Sequence, residues 1–318
     1  MCRLCKIFKK LLLSILLLTS ATTLAQEDKL SRAQSLMTSD PAQALQIMDT
    51  VIQHPITKND FYSWTIRAYI YYELYKKTEK LKLHSAIRDS ILSSIKFSSE
   101  LKPDSEAVQN NLRMYKSLAL GYKKIVKVLL EDSLNYEGSL LAFTNYKKLL
   151  QKVEPKHNFE SDEIEYNLTV GSLFSNIFNE DNKKTKAGEI AKVALLKVIE
   201  LQPTNSSANL NLGLMYYNQA ANLSKSLEYG ADFTEIDAIQ DNMIKLAKQS
   251  EKLIRSVYDS DNKNTKSILA LYYIYRMLVD LPKFEEFKKK CKEMNLDIGE
   301  NKPSTTEENI NNPQSKDK

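Results

Sequence analysis

Glu100-Leu101-Lys102-Pro103-Asp104-Ser105 returns as Glu200-Leu201-Gln202-Pro203-Thr204-Asn205, and Lys152-Val153-Glu154-Pro155 is a weaker copy between them. With Pro55 the prolines stand 48, 52 and 48 residues apart, a period that marks a repeat architecture. Each copy reads as a helix end followed by a stop, because proline cannot continue a helix. Counting back 12, 8, 5 and 2 residues from Pro203 gives Ala191, Leu195, Val198 and Leu201. The same count from Pro103 gives Ile91, Ile95, Ser98 and Leu101. Steps of four, three and three keep these side chains on one helical face. From Pro155 the count yields Phe143, Lys147, Leu150 and Val153, with one polar departure, and a looser copy ends near Ser260.

A second pattern follows each stop. Leu212-Gly213-Leu214-Met215-Tyr216, Gly171-Ser172-Leu173-Phe174 and Ala270-Leu271-Tyr272-Tyr273 each set an aromatic three residues after a small residue. Glycine costs a helix about 1 kcal/mol relative to alanine, so its recurrence at one motif position implies a close helix–helix approach.

Composition agrees with an all-α chain. Only 7 Gly and 8 Pro occur in 318 residues, too few for the regular turns of a sheet protein. The pattern predicts helices over 28–37, 41–54, 59–77, 80–101, 105–130, 134–153, 161–178, 186–201, 205–222, 235–258, 263–279 and 283–295, with a turn from Gly230 to Glu235. Residues 1–25 read as a secretory signal: Arg3, Lys6, Lys9 and Lys10 without an acid, then Leu11 to Leu18, then small residues ending at Ala25. Its apolar core of about ten residues is shorter than the roughly 20 that span a bilayer, so stable membrane insertion is not expected after cleavage. Cys2 and Cys5 precede that core, which disfavours a lipoprotein anchor. Residues 26–297 then form one repeat domain, and the nearly apolar-free stretch 298–318 is expected to be a disordered tail.

The charge balance excludes more than it proposes. Of 45 Lys+Arg against 40 Asp+Glu, four basic residues belong to the signal, leaving 41 against 40. A phosphate backbone needs clustered excess charge, so nucleic acid is not an expected partner. Cys291 is the single cysteine after residue 25, and His54, His84 and His157 stand far apart, so neither a disulfide nor a metal site is expected. No phosphate loop, nucleophile elbow or HExxH motif occurs, which argues against a cofactor and against an enzyme. Glu163 with Glu165 makes a poor catalytic pair, since residues two apart on a helix point to different faces, and Asp259 with Asp261, two apart in a turn, is expected to be solvated.

The order apolar, small, aromatic on one helix, then small, large apolar, small and proline on the next, resembles the tetratricopeptide repeat. Trp64, Ala68 and Tyr71, then Gly171 and Phe174, then Leu212, Gly213 and Tyr216, then Ala270 and Tyr273 match its first helix, and Ala191, Leu195, Val198 and Pro203 its second. The family's unit is 34 residues, whereas this chain repeats at about 50, so longer helices and turns must absorb the difference. The resemblance implies a right-handed α-solenoid of antiparallel helix pairs whose first helices line a groove. Carried over position by position, that groove would hold Tyr62, Tyr69, Tyr72, Glu73, Glu165, Ser172, Asn176, Ser207, Tyr217 and Asn218. The implied function is a non-catalytic scaffold for a protein or extended peptide in the periplasm or cell envelope of a Gram-negative bacterium. An accessory subunit of an outer-membrane biogenesis or uptake complex is the alternative, and a helical enzyme a distant third.

Overall fold

A computed structural model describes residues 26–55, 57–225 and 232–299. The signal reading and residues 300–318 of the expected tail lie outside the described residues. Every predicted helix is present: α1 (26–36), α2 (Pro41–Gln53), α3 (Phe61–Thr78), α4 (Ala86–Glu100), α5 (Ser105–Glu131), α6 (Tyr136–Val153), α7 (Glu160–Glu180), α8 (Thr185–Leu201), α9 (Ser206–Lys225), α10 (Phe233–Ser260), α11 (Thr265–Met277) and α12 (Leu281–Glu293). Among the described residues there is no strand, and no helix is long and apolar enough to cross a membrane.

Local chemistry sets the helix starts. Asp40, Asp60, Asp104, Asn135, Asn205, Asp232, Asn264 and Asp280 each accept a backbone N–H from the first turn that follows them. Such caps satisfy donors that the helix cannot, each contributing about 1 kcal/mol. The periodic prolines mark the stops, with Pro55, Pro103, Pro155 and Pro203 lying two or three residues beyond α2, α4, α6 and α8.

Two shifted boundaries have a clear local cause. The helix predicted from residue 80 begins at Ala86, because Ser85 caps it through Arg88 N–H at 3.0 Å, and Glu79–Ser85 forms a loop. Gly230 and Ala231 of the expected turn lie outside the described residues, and the Asp232 carboxylate caps α10, so the helix expected from residue 235 starts at Phe233.

The contacts group into two units that divide between His157 and Asn158. In the first, α1 and α2 share a core of Ala33, Ala44, Met48 and Val51 with Ile66 and Ile70 of α3. There α3 pairs with α4, α5 pairs with α6, and α3 packs on α5. In the second, α7 pairs with α8, α9 with α10 and α11 with α12, while α9 also packs on α7 and α8. Each unit is thus a stack of helical hairpins in which a first helix touches its own partner and the first helix of the next pair. The core of the second unit ends on Ile298, which is 9% exposed and packs among the residues of α11 and α12.

Glycine sits where the pairs press closest. A Cβ on Gly171 of α7 would fall 2.5 Å from Leu195 Cδ2 of α8, and one on Gly213 of α9 would fall 2.6 Å from Ile254 Cδ1 of α10. Leu195 and Ile254 are both fully buried, so neither can swing into solvent to make room. Ala68 and Ala270, the small residues at the matching positions of α3 and α11, are also fully buried. The face counted back from the prolines behaves alike: Ile91, Ile95, Ala191, Leu195 and Val198 have no exposed surface.

The close approach predicts a sign reversal. In an open helix Gly213→Ala would stabilise by about 1 kcal/mol. Here overpacking of about 1–3 kcal/mol should outweigh that gain and lower the urea midpoint. Ile254→Val, which removes the nearest carbon, should recover part of the loss in a double-mutant cycle.

Candidate functional site

The expected groove residues fall into two groups. Tyr62 on α3 is 41% exposed, and Glu165, Asn176 and Ser207 are exposed on α7 and α9. The others are half-buried or buried and serve packing. Tyr72 of α3 shares a short hydroxyl contact with Ser117 of α5. Ser172 of α7 accepts from Asn211 Nδ2 of α9 at 2.9 Å. Asn218, expected on the open face, is only 4% exposed and donates to Asn179 Oδ1 at 3.0 Å. The last two bonds each join residues 39 apart, and they lie seven residues from one another on each helix. That constant offset makes α7 and α9 parallel and in register, so these polar groups tie one hairpin to the next. Tyr69 is half-buried, and its burial raises the phenol's pKa. Glu73 accepts from Lys76 Nζ at 2.7 Å, and the Tyr217 ring lies 6.4 Å from that of Tyr273.

Several expected packing residues also need correction. Pro203 is exposed and acts as a stop, without seam contacts of its own to bury it. Trp64 and Tyr71 are half-buried and sandwich the Arg67 guanidinium, whose Cζ lies 5.7 and 4.7 Å from their ring centroids. Trp64 stacks on Phe97 of α4 at 4.6 Å and donates its indole N–H to Lys58 O. A guanidinium between two ring faces is a favourable arrangement. Tyr216 and Tyr273 are half-buried, whereas Phe174, Leu212 and Ala191 lie in the core.

One concavity was not anticipated. It is a cleft of about 310 Å³ in the first unit, lined by Leu92, Ser93 and Lys96 of α4, Tyr115 and Tyr122 of α5, and Asn145, Lys148, Leu149 and Lys152 of α6. Its walls are the second helices of two consecutive pairs, and none of the ten groove candidates reaches it. The four α6 residues fall at steps of three, one and three, a single helical face. Tyr115 forms part of the floor under the Lys152 ammonium, 5.1 Å from the ring centroid, and burial raises its pKa.

The charge around this cleft is one-sided, since no acid lines it. Glu100 lies 3.8 Å from Lys96 Nζ on an exposed surface. Glu154, just past the end of α6, is held by Lys116 Nζ at 2.8 Å and His157 Nδ1 at 3.2 Å, and the Lys116 hydrogen bond lowers its pKa. Lys148 and Lys152 make no ion pair with any described residue.

Behind the floor lies a buried cation. Arg88 of α4 is 1% exposed, with its Cζ 4.2 Å from the Tyr122 ring centroid and 5.2 Å from that of Tyr75. It donates to Leu83 O at 2.9 Å, to Lys82 O and to Tyr75 Oη at 3.1 Å, and its Nε has no partner. Among the described residues no carboxylate comes within ion-pair distance of it. Carbonyl and ring dipoles solvate the guanidinium, which leaves its net charge in place.

Groups that could support catalysis are engaged elsewhere. Asp259 pairs with Arg255 Nε at 2.9 Å, and Asp261 accepts Lys263 N–H at 3.0 Å. Glu163 is half-buried and Glu165 exposed. Cys291 has no exposed surface, and burial pushes its thiol up to about 11, away from the thiolate a nucleophile needs. Among the described residues no group of three or more His, Cys, Asp or Glu could hold a metal.

Comparison with known proteins adds little. No family model matches the chain. No curated protein matches it either. Among solved structures it is similar to PilW, described as a widely conserved type IV pilus biogenesis factor; the match covers 85% of this chain and 93% of that one, at 14% identity and a TM-score of 0.31. A likeness that distant carries no functional argument.

Arg88 anchors the 79–85 loop by supplying the donors that its carbonyls need. Arg88→Met should leave Leu83 O and Lys82 O unpaired and cost about 2–4 kcal/mol. Hydrogen exchange should show faster exchange in residues 79–88 and little change in α7–α12. A stability equal to wild type would show that the guanidinium is dispensable.

Proposed function

We propose that the chain is a non-catalytic protein-binding scaffold, a divergent tetratricopeptide-like array with expanded units, exported to the periplasm or cell envelope of a Gram-negative bacterium. The right-handed sense of the solenoid belongs to the same proposal. The observation that carries it is the way consecutive hairpins join, in which a first helix packs on its partner and on the next first helix. Such stacking consumes one side of each helix and leaves rows of side chains in the open, a form suited to docking. Tyr62 on α3, and Asn176 and Ser207 on α7 and α9, keep part of the first-helix face available within their units. The placement of the carboxylates and Cys291 supports a role without chemistry. Export rests on the reading of residues 1–25.

Site-specific photo-crosslinking tests this. A photoreactive residue at Tyr62, Asn176 or Ser207 should give a discrete adduct with another envelope protein, in cells where the chain fractionates outside the cytoplasm. A cytoplasmic chain, or no adduct from any of the three sites, would contradict the scaffold reading.

A further inference from the structure

We propose that the cleft between α4 and α6 is a docking site for an extended acidic peptide segment of the protein partner. The inference rests on the scaffold reading and assigns a chemistry to what the scaffold grips. Three lysines from two separate helices converge on one concavity, and no acid lines it. The buried Arg88 guanidinium adds a positive charge beneath the Tyr122 floor, where little water screens it. Like charges gathered around a hollow repel one another, and the low-dielectric walls focus their field outward into the opening. The complementary occupant is anionic.

The shape narrows the class of anion. Lys148 and Lys152 are one helical turn apart, a rise of roughly 6 Å along α6. Alternate side chains of an extended peptide repeat at roughly 6.6 Å on one edge, so carboxylates two residues apart can meet both ammonium groups. The intervening side chain then faces away from α6, toward Leu92 and Lys96 on the other wall. Tyr115, half-buried on the floor, supplies apolar surface for the peptide's own nonpolar atoms, and Asn145 and Ser93 can hydrogen-bond its backbone. A lone small anion would use the lysines and leave this floor idle.

Binding of a fluorescein-labelled hexapeptide of alternating Asp and Leu to the full-length chain tests the site by fluorescence anisotropy at low salt. The expected result is saturable binding that weakens at least tenfold in Lys148→Glu/Lys152→Glu and is absent for the alternating Asn and Leu peptide. Affinity should fall steeply as salt rises. Both lysines are exposed, so the variant's circular dichroism and thermal midpoint should match wild type. A milder change, Lys148→Gln alone, should give an intermediate loss and serves if the double reversal disturbs the fold. Equal binding by the wild type and the double variant, no binding of the acidic peptide, or complete displacement by millimolar inorganic phosphate would each overturn the proposal. Photo-adducts at Tyr62 that survive in the double variant, with peptide binding absent from wild type, would remove this site and leave the scaffold reading standing. Peptide binding that depends on the lysines, without any envelope adduct, would do the reverse.

Discussion

The tight crossing of the helical pairs α7/α8 and α9/α10 is the constraint on which the remaining architecture depends. At Gly171 and Gly213 the facing helix comes so near that a methyl group would overlap a fully buried Leu195 or Ile254. That closeness brings Leu195, Val198 and Ala191 into one seam on α8, with each large apolar side chain contributing about 1.5–3 kcal/mol by leaving water. Without it the hairpins would part, and the faces that stack one pair on the next would lose their alignment.

Stacking then falls to smaller, directional contacts. The Ser172–Asn211 and Asn179–Asn218 bonds hold α7 and α9 in a fixed parallel register, and Thr65, Ser98 and Asn111 form a comparable buried network across α3, α4 and α5. Polar pairs at such seams are worth about 1 kcal/mol each when made and cost more when one partner is missing. They therefore select one register among several that apolar packing alone would tolerate. In the first unit α4 and α6 stand apart above α5, and the space between them is the lysine-lined cleft.

Much of this was legible in the sequence, because backbone rules are local. Proline stops and apolar periodicity place the twelve α-helices of the described residues, and the recurring small-x-x-aromatic pattern marks the crossings. Where a local rule met a tertiary demand, the reading slipped. The 79–85 loop carries no proline or glycine; Arg88 reaching back to its carbonyls, Tyr75 Oη donating to Lys80 O and the Ser85 cap hold it out of the helix. Asn218 looks like a surface residue by type but is buried by its bond to Asn179. Trp64 and Tyr71 look like core but are half-buried around Arg67. The cleft went unseen because whole-chain charge nearly balances, while α6 by itself carries Lys147, Lys148 and Lys152 against Glu137 alone. A charge count taken helix by helix would have pointed to it.

The close approach itself can be observed in solution. In a chain labelled at isoleucine and leucine methyl groups and at glycine, nuclear Overhauser effects should connect the Ile254 δ-methyl to the Gly213 α-protons and the Leu195 δ-methyl to those of Gly171. Strong effects at both crossings are what paired, stacked hairpins require. Their absence in a folded sample would mean that these helices do not meet at their glycines, and the scaffold built on them would have to be abandoned.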